Sequence, residues 1–145
     1  MEAMVAVNRE RWREELLECV DPEWKKNPEN VKWAITVGEG WKKLVCDLVD
    51  KLDKIQPYTI LQVKEKFGTL RFYTHTPKKP SKKFIDTIEA AYKASEKICE
   101  DCGGKGKLRG DGWVRTLCIP CNKAFLKKRA ERFAKHTRKA KQKPD

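Results

Sequence analysis

Two cysteine pairs, Cys99-Glu-Asp-Cys102 and Cys118-Ile-Pro-Cys121, stand fifteen residues apart, with Gly103 to Leu117 between them. A C-x2-C turn points two thiolates at one small cation, and two such turns close a tetrahedral site of the kind zinc prefers. Four thiolates leave no open position for water and quench the ion's Lewis acidity. Cys99, Cys102, Cys118 and Cys121 are therefore expected to hold one structural Zn2+ rather than a catalytic one. A disulfide framework would need an oxidising compartment. The opening Met1-Glu-Ala-Met-Val-Ala-Val7 carries an acidic residue early and has no basic region, unlike a signal peptide, and no apolar run approaches the length of a membrane span. The expected setting is the cytoplasm. A chain of 145 residues buries roughly 70% of its unfolded surface, so it builds a core of its own and the metal supports one region of it.

The apolar periodicity ahead of the cysteines predicts that core. Asn8 caps a first helix to about Val20, with Trp12, Leu16, Cys19 and Val20 on one stripe. Residues 21–33 read as a loop anchored by Trp24 and Trp33, and Trp33 to Val37 as a short strand. Gly38-Glu-Gly40 breaks the chain before a helix from Trp41 to Ile55, buried through Trp41, Leu44, Val45, Leu48, Leu52 and Ile55. Tyr58–Lys66 and Thr69–Thr74 read as a hairpin with a tight turn around Phe67-Gly68; a three-residue loop with a bulge would shift the register by one, and the assignment that follows holds for a two-residue turn. Val63 then opposes Phe72 and Lys64 opposes Arg71. Leu61, Val63, Leu70 and Phe72 face inward, and Gln62, Lys64, Lys66, Arg71 and Tyr73 face outward. Ser81 caps a third helix to about Ile98, whose inner side carries Phe84, Ile85, Ile88, Ala91, Tyr92, Ser95 and Ile98. A small hairpin follows, from Leu108-Arg109 to Trp113–Leu117, and a last helix starts near Pro120. The stripe of that helix is Ala124, Phe125, Ala130, Phe133 and Ala134, and it frays from Lys135.

Knuckle, hairpin and a helix that supplies two ligands is the order of a treble-clef finger. The expected fold is α+β: helices packed on a small antiparallel β-hairpin over 1–98, a four-cysteine treble-clef-like zinc module over 99–121, and a basic C-terminal helix with a frayed tail over 122–145. The lone Cys19 and Cys46 read as small buried hydrophobes.

Net charge sharpens the picture. Ten lysines and arginines between Asn122 and Asp145 face only Glu131 and Asp145, so this segment holds +8 of the chain's +12. A block of this kind attracts polyanions or the acidic face of a partner, or simply solvates a helix. The candidate contacts are Lys123, Lys127, Lys128, Arg129, Arg132, Arg138 and Lys139 on the last helix. Arg109 and Arg115 from the small hairpin join them, as does the outward stripe of Lys64, Lys66, Arg71 and Tyr73.

Val63-Lys-Glu-Lys-Phe-Gly-Thr-Leu-Arg-Phe-Tyr73, together with Cys99-x2-Cys102-Gly103, Leu108-Arg109 and Gly112-Trp-Val-Arg-Thr-Leu-Cys118, resembles a family of short uncharacterised proteins of bacteriophages and bacterial genomes. Gly38-Glu-Gly-Trp41 is similar to that family's approach to its first shared helix. The resemblance spans about Val37 to Cys121. It implies a bacterial or viral setting, hence the cytoplasm of a bacterial host cell, and no particular activity.

Catalytic patterns are thin. His75 follows a strand end and His136 lies in the basic segment, too far apart in sequence for the His-rich turn of a metal-dependent nuclease. Phe67-Gly-Thr-Leu-Arg-Phe72 partly matches an RNA-recognition signature, yet Thr69 replaces a stacking aromatic and the element order is wrong. No nucleophile–base pair, phosphate loop or carboxylate pair has persuasive spacing. Two readings of function lead, with a metal-dependent nuclease as a distant third. One is a non-enzymatic zinc protein that binds nucleic acid through its basic helix. The other is a phage effector that binds an acidic or nucleic-acid-handling host complex, of immunity or transcription.

Overall fold

The computed structural model describes the backbone of residues 5–142 and the side chains of residues 5–138. The fold is α+β, as the apolar periodicity predicts. Asn8 Oδ1 accepts the Glu10 amide at 3.0 Å and opens a 3-10 turn that leads into α1 (Trp12–Glu18). Trp12, Leu16 and Val20 are buried, whereas Cys19 is exposed and leaves the expected stripe.

Residues 21–33 are not the expected loop. They hold a 3-10 turn at Trp24–Lys26 and a short helix, α2 (Pro28–Lys32). Asn27 caps it through the Glu29 amide at 3.0 Å, and Pro28 occupies the first turn, where its missing N–H costs nothing. Trp24 and Trp33 are exposed rather than anchored in the core. Trp33 is satisfied on its own helix, its indole N–H donating to Glu29 at 3.2 Å. The expected strand over 33–37 reduces to one parallel bridge between Ile35 and Val63.

A 3-10 turn at Glu39–Trp41 leads into α3 (Lys42–Asp53), whose Val45, Cys46, Leu48, Val49 and Leu52 form the centre of the core with Trp41. Strands β1 (Thr59–Lys66) and β2 (Thr69–His75) pair antiparallel, Val63 opposite Phe72 and Lys64 opposite Arg71. Phe67 and Gly68 both have positive φ, 55° and 79°. That is the mirror-image two-residue turn whose twist suits a hairpin. A bulge between Ile60 and Gln62 corrects the far end of the register: Ile60, not Leu61, enters the core. Its cause is long-range. Ile60 exchanges backbone bonds with Cys19 and Asp21, both 2.8 Å, and this bridge turns Ile60 inward.

Ser81 Oγ accepts the Phe84 amide at 3.1 Å and caps α4 (Lys82–Ser95), which packs on β2 and α3 through Phe84, Ala91 and Ser95. Ile85, expected inside, is exposed. Strands β3 (Lys107–Arg109) and β4 (Arg115–Leu117) follow, then α5 (Ile119–Gln142). Pairing in this second hairpin starts at Arg115, so Trp113 belongs to the connecting loop rather than to the strand. Beyond Phe125, α5 touches no core: Leu126, Ala130, Phe133 and Ala134 are exposed, with Phe133 at 74%. The apolar stripe expected there is covered by nothing among the described residues, and the helix runs past Lys135 to Gln142.

Candidate metal centre and the basic helix it anchors

The four predicted ligands converge. The Sγ atoms of Cys99, Cys102, Cys118 and Cys121 all lie within 4.8 Å of one another, and Cys102 and Cys118 are 3.7 Å apart. Tetrahedral thiolates about 2.3 Å from a zinc ion would stand about 3.8 Å apart, so the cluster is compatible with one such ion. Among the described residues it is the one group of three or more histidines, cysteines or acids whose ligand atoms converge.

Local backbone chemistry builds the site. Cys99 lies beyond the end of α4, and its amide donates to Gly104 O at 2.8 Å while Gly103 N–H returns a bond to Cys99 O at 2.9 Å. Gly103 has φ +81°, the left-handed conformation that closes the knuckle without a Cβ clash. Cys121 sits in the first turn of α5, and Asn122 N–H donates to Cys118 O at 2.9 Å. The positive end of the helix dipole faces these sulfurs, which favours thiolates. Burial raises the Cys99 thiol, but the backbone amides of Cys118, Cys102 and Asp101 outweigh it and lower the group, whereas hydrogen bonds with neighbouring cysteines push Cys102 and Cys121 up. A deprotonated sulfur is the form that binds metal.

The cluster is bolted to the core on two flanks. Glu100, 4% exposed, accepts the Gly38 amide at 3.1 Å and Arg115 at 3.2 Å, and Gly40 N–H donates to its carbonyl at 2.7 Å. Trp41 Nε1 donates to Ile98 O at 2.8 Å. On the other flank, Glu100 N–H donates to Thr116 O at 3.0 Å, and the buried Thr116 hydroxyl donates to Gly68 O at 2.6 Å, in the turn of the first hairpin. Burial pushes the Glu100 carboxyl up, and Arg115 pulls it back only in part. Gly38-Glu-Gly-Trp41, the Phe67-Gly68 turn and the cysteines, distant in sequence, thus form one contact region.

The candidate binding residues divide. Lys123, Lys127, Lys128, Arg129, Arg132 and Arg138 are exposed on α5, and none joins an ion pair among the described residues. Lys139 is helical, and its side chain lies outside the described residues. Arg109 and Arg115, expected to present outward, are engaged internally instead. Arg109 Nε donates to Leu117 O at 2.8 Å, and Arg115, 16% exposed, holds Glu100 and Asp101. On the first hairpin, Lys66 and Tyr73 are exposed. Lys64 is half-buried, as is Arg71, whose guanidinium lies 5.1 Å from the Tyr92 ring.

Sequence reasoning missed Glu100 as the docking acid, because nothing local marks an acid inside a C-x2-C turn as buried. It placed Phe125 on the apolar stripe of the last helix without a partner, and the ring meets Trp113 edge-to-face at 5.3 Å. No helix among the described residues is long and apolar enough to cross a membrane. Comparison with protein-family models, curated proteins and solved structures finds no match.

Proposed function

We propose that this chain is a non-enzymatic binding protein of phage type, acting in the cytoplasm of a bacterial host, in which a structural zinc ion on four cysteines sets the direction of α5 and α5 binds nucleic acid. The observation that carries this reading is the state of α5. It presents seven described cations that take part in no ion pair among the described residues, on a helix whose outer part touches no core. Unpaired lysines and arginines on a rigid rod release counterions when phosphates replace them, which makes binding salt-sensitive and tolerant of sequence. Zinc is the ion of choice because a closed set of four thiolates in a tetrahedron suits it and suppresses catalysis.

Titration of the zinc-loaded protein against duplex and single-stranded oligonucleotides over a range of salt tests this. Contact with about six phosphates gives a slope of log K on log salt of roughly −5. A slope near zero ends the reading.

A second reading has its own observation. Ile119, Leu126 and Phe133 recur at heptad spacing on α5 and are all exposed. Phosphates have no use for that stripe, whereas an acidic amphipathic face of a host protein would cover it and its flanking cations together. In this reading the chain is an effector that occupies a nucleic-acid-handling host complex. A stoichiometric complex with one host protein that survives nuclease treatment supports it.

A further inference from the structure

The loop of the second hairpin and the first turns of α5 enclose a groove of about 360 Å³ that the metal site does not use. Its volume lies within the roughly 300–1,000 Å³ of small-ligand sites. Trp113 and Phe125 line it together with Lys128, Arg129 and Arg132. We propose that this groove is a site for one unpaired nucleotide, with the base stacked on Trp113 and the phosphate held by the three cations. The proposal rests on the nucleic-acid reading of α5 and specifies which strand state that surface takes.

The aromatic half of the argument is geometric. Trp113 follows Gly112, whose φ of +91° turns the loop toward α5, and the indole remains 54% exposed. Its contact with Phe125 is edge-to-face, the ring planes 89° apart. Such a contact covers at most one face of the indole and leaves another free for stacking. Phe125 is itself fixed by the Arg115 guanidinium, 4.9 Å from its ring. The aromatic pair is therefore braced by Arg115, and its indole stays open to solvent.

The charged half is a matter of pairing. The one acid on the groove, Asp101, is held by Arg115 at 2.9 Å, and Arg115 also holds Glu100. Lys128, Arg129 and Arg132 have no ion-pair partner among the described residues, so the groove is left with uncompensated positive charge beside a free aromatic face. That combination is how single-stranded nucleic acid is bound without strong sequence preference. A base-paired duplex keeps its bases stacked inside and offers the indole nothing. An acidic peptide would satisfy the cations and leave the indole unused.

The test is fluorescence anisotropy with the full metal-loaded chain and four probes: short oligo(dT), oligo(U), an abasic oligodeoxynucleotide of the same length, and a duplex. We expect oligo(dT) and oligo(U) to bind about 10-fold tighter than the abasic strand, in line with base–aromatic stacking. Trp113→Ala should remove that advantage and leave abasic and duplex affinities within about 2-fold, while Trp113→Phe should restore most of it. Oligo(dT) against oligo(U) tells DNA from RNA as the source of the unpaired base. Equal affinity for based and abasic strands overturns the nucleotide site and leaves phosphate binding by α5 standing. Absence of salt-sensitive binding to all four probes overturns both. Should Trp113→Ala lose its metal or fold, the based–abasic comparison and Trp113→Phe decide the matter alone.

Discussion

Gly40 lies so close to Cys99 that a Cβ at position 40 would fall on the Cys99 carbonyl oxygen and within 2.5 Å of the Gly103 amide nitrogen. Both neighbours are backbone of the knuckle, and neither can swing aside as a side chain would. The Gly40→Ala protein is expected to lose about 3 kcal/mol, the upper range for overpacking, which lowers Tm by about 10 °C in a chain of this size. Thermal unfolding measures it. A shift under about 2 °C would show that the knuckle yields freely and that its docking on the 3-10 turn before α3 is soft.

Metal removal should divide the molecule rather than unfold it. The core of Trp12, Leu16, Trp41, Val45, Leu52, Ile60 and Phe84 contains no cysteine ligand. Structural zinc contributes on the order of 10 kcal/mol to the folding of the region it closes. After chelation, or in Cys102→Ser, the amides of Glu100, Gly103 and Gly106 should exchange rapidly while those of α3 keep their protection. Hydrogen exchange resolved by residue reads this directly, and parallel loss of protection in α3 would count against a regional role.

Arg115 should matter for stability more than its surface neighbours do. Removing it leaves Glu100 buried without its cation, a change that costs about 3 kcal/mol when a buried pair loses one partner. Lys123→Ala, on the open face of α5, should change stability by less than about 0.5 kcal/mol. Replacing both partners, as Arg115→Met with Glu100→Gln, should recover much of the loss, because the neutral amide needs no counter-charge. Urea denaturation of the four proteins checks the ordering.

Asp21 supplies a pH dependence whose sign is defined. The Thr59 hydroxyl at 2.8 Å, with the Trp24 and Glu23 amides, holds its carboxyl below the ordinary aspartate range. A depressed pKa stabilises the fold above the unfolded value of about 3.9 and is lost as pH falls through the lower folded value. The Tm difference between the native chain and Asp21→Asn should therefore be constant from neutral pH to about 5 and shrink below about 4. A difference that grows on acidification would overturn the assignment.

The parts of this structure that could be read in advance are those with local causes. The cysteine spacing specifies its own cluster. Phe67-Gly68 with alternating neighbours marks the hairpin turn, while the pairing of Val63 with Phe72 follows only once the turn is known to hold two residues. The parts that could not be read depend on distant partners: Leu61 alternates as an inward residue until the bridge from Val20 takes hold of Ile60. Helix α2 had a local signal, an Asn cap followed by Pro at the first helical position, but it spans only five residues and two tryptophans obscured it. For the site, residue types marked the ligands and the cations. They did not mark which arginines were already engaged, because Glu100 reaches Arg115 only after the knuckle folds back on β4.

A helix held at one end is a lever. From Phe125, which meets Trp113 edge-to-face, to Gln142 is about 25 Å at 1.5 Å per residue. The fulcrum is the four-sulfur cluster, so a slight change of pitch there becomes a displacement of several ångströms at the tip. The bearing of the far end is thereby set by four cysteines at the near one.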